Sequence, residues 1–202
     1  MKVQAVSELL RLVPPCEGYA ENIDWGPVEA DLGRSLPSDY KEFMRVYGAG
    51  NIGEEFAILS PPGVGEGAPW SGSMAAETEN VRHAWEREDG RSVLDAAPSD
   101  LLAWGVTSGP DVLCWAMTGD DPEKWPTVVH RRSDPVFSVV ETGMAEFLRC
   151  LFAGEFEDWP IRLAKNFLLP APAFVHRRLW DERQEAGLDP VTGLEEPGRY
   201  TF

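Results

Sequence analysis

The stretch Leu101–Glu141 reads LLAWGVTSGPDVLCWAMTGDDPEKWPTVVHRRSDPVFSVVE, and its period decides the fold. Four runs suit β-strands: 101–108, 111–118, 126–132 and 136–141, separated by SGPD, GDDPEKW and RSDP. Connections this short make antiparallel hairpins, because a parallel crossover needs a dozen or more residues. In the second run Val112, Cys114 and Ala116 point to one face while Leu113, Trp115 and Met117 point to the other. Both faces are apolar, so the sheet is expected to be covered on both sides.

Working outward, the period changes to that of helices. Residues 2–12 place Val3, Val6, Leu9 and Leu10 on one stripe before Pro14-Pro15 stops the run. Asp24 is positioned to cap a helix carrying Trp25, Val28 and Leu32, which Gly33 ends. After Leu36-Pro37, the residues Tyr40, Phe43, Met44 and Tyr47 recur at i, i+3, i+4 and i+7, with Gly48 where a left-handed terminating residue is wanted. A phosphate cradle needs its glycines before a helix, where free N–H groups face the anion; the Gly-Ala-Gly-Asn run follows one. Phe56–Leu59 reads as a further strand, 75–88 as a half-exposed helix with Val81, Ala84 and Trp85 inward, and Met144–Phe152 as a helix ended by Gly154. The expectation is an α+β fold in residues 1–154, an antiparallel sheet of about five to six strands flanked by helices. Residues 155–202 are expected to form an arm packed by Trp159, Phe167, Phe174 and Trp180, with a looser end.

A net charge of −16 argues against a nucleic-acid partner, since phosphate backbones demand a cationic face. It favours solubility and steers cationic proteins toward the chain. Three widely spaced cysteines, Cys16, Cys114 and Cys150, show no pairing or CxxC pattern, which fits a reducing compartment. The first fifteen residues lack a signal-peptide core, and no run is long and apolar enough to span a bilayer, so a cytoplasmic location without membrane contact is expected.

Residues that could carry chemistry are scattered. His83, His130 and His176 have no metal-ligand spacing, and no cofactor motif occurs. Cys114 and His130 on neighbouring strands are the best nucleophile and base available, but mid-strand Cys114 lacks the electropositive, accessible setting of a reactive thiolate. Asp120, Asp121 and Glu123 gather in TGDDPEKW without calcium-loop alternation, so a turn accounts for them, and their acidity suits the rim of a binding face. Trp70, in the glycine-rich loop PPGVGEGAPW, is either an interface anchor or a lid on the core.

The runs IDWGPVEADLGRSLPSDYKEFMRVYGAGNI and LLAWGVTSGPDVLCWAMTGDDPEKWPTVV, with a closing MAEFLRCLFAG, resemble the SUKH superfamily over roughly residues 20–154. That superfamily contains bacterial immunity proteins of contact-dependent and polymorphic toxin systems and fungal cell-wall regulators of the Smi/Knr type. The resemblance rests on Trp25, Glu29, Leu36-Pro37, Tyr40, Phe43, Gly48, Trp104-Gly105 and Trp115. It implies an α+β domain that binds and does not catalyse. Two departures are Ser108-Gly109-Pro110 at the hairpin, where relatives often carry an Asn-Gly-Asp type turn, and the arm, which lies outside the common core. The expected function is binding and neutralising a cognate protein toxin, a basic nuclease being one such, by a monomer or weak homodimer. The alternative is a regulatory or scaffold module. Expected partner contacts are Glu54, Glu55, Glu66, Trp70, Asp120, Asp121 and Glu123.

Overall fold

The computed structural model describes residues 2–16, 21–64, 73–170 and 173–195. Its centre is a seven-stranded, wholly antiparallel sheet in the order β6-β5-β4-β3-β2-β1-β7. The strands are β1 (Gly50–Ile52), β2 (Phe56–Ile58), β3 (Leu101–Thr107), β4 (Asp111–Ala116), β5 (Thr127–Arg131), β6 (Val136–Val140) and β7 (Phe174–His176). Helices are α1 (Lys2–Leu12), α2 (Trp25–Leu32), α3 (Ser38–Val46), α4 (Met74–Arg87), α5 (Met144–Ala153), α6 (Lys165–Leu168) and α7 (Arg177–Glu185). The class is α+β, with more strands than the five to six expected. β1 and β7 are three-residue strands, too short for an alternating pattern to register.

Both faces of the sheet are covered. Cys114 and His130 face the α4 side, where Trp85 meets Phe137 edge to face at 4.8 Å and His130 stacks on Phe137 at 4.3 Å. Trp104 and Trp115 turn to the other side, against Phe147 of α5 at 5.8 Å and Tyr40 of α3 at 5.0 Å. A bulge between Ala103 and Gly105 shifts the β3–β4 register, leaving Trp104 without a cross-strand partner and placing it 6.2 Å from Trp115. The bulge carbonyl accepts from Leu59 N at 3.0 Å, so the distortion is tied to β2's exit.

The helix signals act where the sequence puts them. Asp24 accepts from Gly26 N at 3.1 Å, and Gly33, Gly48 and Gly154 take positive φ at the ends of their helices. Tyr40 and Tyr47 are buried and their hydroxyls donate to Leu59 O and Val13 O, each at 2.9 Å. Gly50 has a separate reason: a Cβ there would overlap the Val175 carbonyl, so β7 could not approach β1.

The arm is fastened at two places. Phe174 packs on Tyr47 at 5.1 Å and Phe43 at 5.8 Å, and His176 caps α7 by accepting from Arg178 N. Near the β3–β4 hairpin, buried Asp111 accepts from Arg162 N at 2.8 Å and from the Thr107 hydroxyl at 3.0 Å. Trp180 is buried and Trp159 half-buried. Phe167 is not a packing residue: it is 59% exposed on the single turn of α6, whose inward position is taken by Leu168.

Candidate functional site

The expected contact residues divide between the two ends of the sheet. Glu54 and Glu55 occupy the β1–β2 turn, beside the β3–β4 turn, where the Ser108 hydroxyl donates to Glu55 and Ser108 N donates to the Glu55 carbonyl at 2.9 Å. Asp120, Asp121 and Glu123 lie on the β4–β5 loop at the opposite end. One flat contact does not join the two groups without crossing the sheet's length. Glu66 and Trp70 lie outside the described residues.

The three loop carboxylates differ in occupation. Asp120 is exposed and makes no ion pair among the described residues. Asp121 caps the short 3-10 turn of residues 122–124 by accepting from Glu123 N at 3.1 Å, with Lys124 Nζ at 3.2 Å. Glu123 reaches across to α3, accepting from Ser38 N at 2.7 Å and Ser38 Oγ at 2.9 Å. Pro37 offers that helix no side-chain cap, so a carboxylate 85 residues away supplies it.

Glu123 also borders a groove of about 820 Å³ between α1, the β4–β5 loop, the β6–α5 link and α5. Its lining includes five carboxylates, Glu8, Glu123, Glu141, Glu146 and Glu155, against the cations Lys124 and Arg149. Arg149 is engaged from three sides: Nη2 lies 2.8 Å from both Glu146 Oε1 and Glu155 Oε2, and Nε lies 3.6 Å from Glu8 Oε2. Its hydrogen bonds hold Glu146 and Glu155 below the usual glutamate range, so both are ionised at neutral pH. Glu141 is exposed at the groove's lip and has no ion-pair partner among the described residues. The groove is therefore acidic, with half-buried Arg149 already neutralised, a setting that attracts lysine and arginine side chains.

Thiol chemistry finds no support in the geometry. Cys114 is fully buried, and burial foremost pushes its thiol far above the ordinary range. His130 lies opposite Val112, not Cys114, and its Nε2 is held by Glu88 Oε2 at 2.7 Å. Cys150, beside the groove, is pushed up to about 11 by burial and by Glu146, so it carries no thiolate at neutral pH. Among the described residues no group of three metal-ligating side chains converges, and no helix is long and apolar enough to cross a membrane.

A family model described as SMI1-KNR4 cell-wall, of the SUKH group, matches residues 24–148. The chain belongs to the SUKH superfamily. No curated protein matches it. The SUKH match runs from the cap of α2 into α5, and its motif residues serve the fold. Trp25 meets Tyr40 edge to face at 5.8 Å, and Glu29 accepts from Leu36 N at 2.8 Å, fixing the Leu-Pro entry to α3. The groove is partly outside that match: Glu123, Glu141 and Glu146 lie within it, whereas Glu8, Arg149 and Glu155 come from flanking segments. Sequence reasoning reached Glu123 but missed Glu8, Glu141, Glu146 and Glu155, whose shared location depends on α1 packing against α5 and has no local sequence signal.

Proposed function

We propose that this SUKH protein is a non-catalytic immunity protein that binds a cognate toxin bearing a basic surface, through the acidic groove between α1, the β4–β5 loop and α5. The observation that carries the reading is the groove's five carboxylates to two cations, on a chain of net charge −16. A nuclease toxin fits this chemistry, because its nucleic-acid groove is basic and an acidic inhibitor would be steered into it at up to about 10⁸–10⁹ M⁻¹s⁻¹ at low salt. Asp120, Asp121 and Glu123 sit on the groove's loop, so they belong to the proposed face. Glu54 and Glu55 at the far end would meet only a partner that wraps the sheet. Cytoplasmic action fits the unpaired thiols.

The test is capture of partners at low salt followed by salt elution and a rescue assay. The expected outcome is one stoichiometric basic protein that kills cells lacking this chain and is neutralised when the chain is restored. Reversing the two open charges, Asp120→Lys with Glu141→Lys, should slow association about tenfold or more while leaving the fold intact. Recovery of several endogenous complexes, none toxic, would favour the regulatory or scaffold role of the cell-wall-regulator type instead.

A further inference from the structure

The two edges of the sheet are treated differently. At the β7 edge the chain covers itself: Phe174 N donates to Pro14 O and Cys16 N donates to Phe174 O, each at 3.0 Å, so the segment after α1 runs parallel along the last strand. At the other edge β6 pairs with β5 alone among the described strands, in unbroken register from Val136 to Val140. Protein edges are commonly blunted by lysine, proline or a bulge within the strand. The run VFSVV has none of these, Val136 is 39% exposed, and Ser138, Val139 and Val140 are half-buried.

We propose that this edge is an interface between two copies of the chain, β6 pairing antiparallel with β6 of a second copy about a two-fold axis at Ser138. The pattern is self-complementary. In that register Val136 lies opposite Val140 of the second copy and Ser138 opposite Ser138 on one face, and Phe137 lies opposite Val139 on the other, so apolar β-branched pairs form on one face and aromatic–β-branched pairs on the other. The charges flanking the strand agree. Arg131 lies opposite Val136 at its start, near Arg132, which pairs with Glu77, and Arg162, which lies 3.2 Å from Asp134, while exposed Glu141 stands at its end. A two-fold brings each Glu141 toward the other copy's arginine end. The general charge of −16 per copy opposes association, and pairing five-residue strands covers far less than the ~1,200 Å² of a firm interface. The dimer is accordingly weak and strengthened by salt, the opposite salt response to that of a basic partner in the groove.

Sedimentation equilibrium of the full chain at about 0.5 M NaCl, where repulsion between the copies is largely screened, should show a mass moving from 22.4 kDa toward twice that value as concentration rises. Ser138→Asp and Ser138→Lys each place like charges face to face on the two-fold and should raise the dissociation constant about tenfold. Mixing the two variants should restore association as a heterodimer, which only a Ser138-to-Ser138 contact predicts. Hydrogen exchange of the unmodified chain supplies an independent readout: slowing on concentration should centre on the amides of 136–140. A monomer under all these conditions, a mixture no tighter than its components, or protection confined to another element would each overturn the proposal.

Discussion

His130 shows how much a single residue's role depends on a partner far along the chain. Its ring is buried on β5 and stacked on Phe137, and Nε2 meets Glu88, the residue that ends α4, while Nδ1 finds no partner among the described residues. Burial lowers its pKa below the ordinary 6.5, helped by the Arg132 and Arg87 charges and opposed in part by Glu88. The neutral ring is thus the folded form. As pH falls below 6.5, the unfolded chain takes up a proton that the folded chain refuses, so stability drops until pH reaches the lowered folded value. The urea midpoint should therefore decline between pH 7.5 and pH 5, by a margin that shrinks in His130→Gln, which keeps a donor toward Glu88 without titrating. Equal slopes in the two proteins would show that His130 does not set the acid response. The sequence reading put His130 beside Cys114 as a possible base. The two do lie on neighbouring strands, but His130 stands opposite Val112 and its Nε2 is held by Glu88, 42 residues away, which no local pattern could reveal.

Among elements, β7 separates what was legible from what was not. The meander β3–β6 and helices α1–α5 each carry their own periodic pattern and turn residues, so they could be read directly. β7 pairs with β1 alone among the described strands, whereas β1 also pairs with β2. Gly50 permits the close approach, Phe174 fills the space beside Phe43 and Tyr47, and neither signal stands out within three residues. Phe174 and Phe167 are seven residues apart and equally apolar, yet one is 1% and the other 59% exposed. Only the tertiary fit distinguishes them. Phe174→Ala should accordingly cost about 3–5 kcal/mol of unfolding free energy by leaving a cavity against two aromatic rings, whereas Phe167→Ala should stay within about 0.5 kcal/mol. Chemical denaturation of the two variants checks the contrast. A small loss for Phe174→Ala would mean that β7 is an optional covering of the β1 edge and not part of the cooperative unit. The groove was hidden for the same reason: Glu123 was visible as part of a charged loop, but Glu8 and Glu146 come together only when α1 and α5 pack.

For the whole molecule, the surplus of negative charge acts on folding and on binding with opposite signs. In the isolated chain, 34 carboxylates against 18 basic side chains repel one another within one compact volume, and local pairs such as Arg149 with Glu146 and Glu155 relieve only part of that. Added salt shortens the range of the repulsion from roughly 30 Å at 0.01 M to roughly 3 Å at 1 M. The folded state is more compact than the unfolded one, so it gains more from the screening. A basic partner approaching the groove experiences the same field as attraction and loses by its screening. Raising NaCl from about 0.02 M to about 0.5 M should therefore lift the melting temperature of the free protein by a few degrees, while slowing association with the partner by about tenfold or more. Calorimetry and stopped-flow mixing in one buffer series test both together. If salt raised stability but left the association rate unchanged, the charge would be a solubility device, and recognition would have to rest on the apolar parts of the surface.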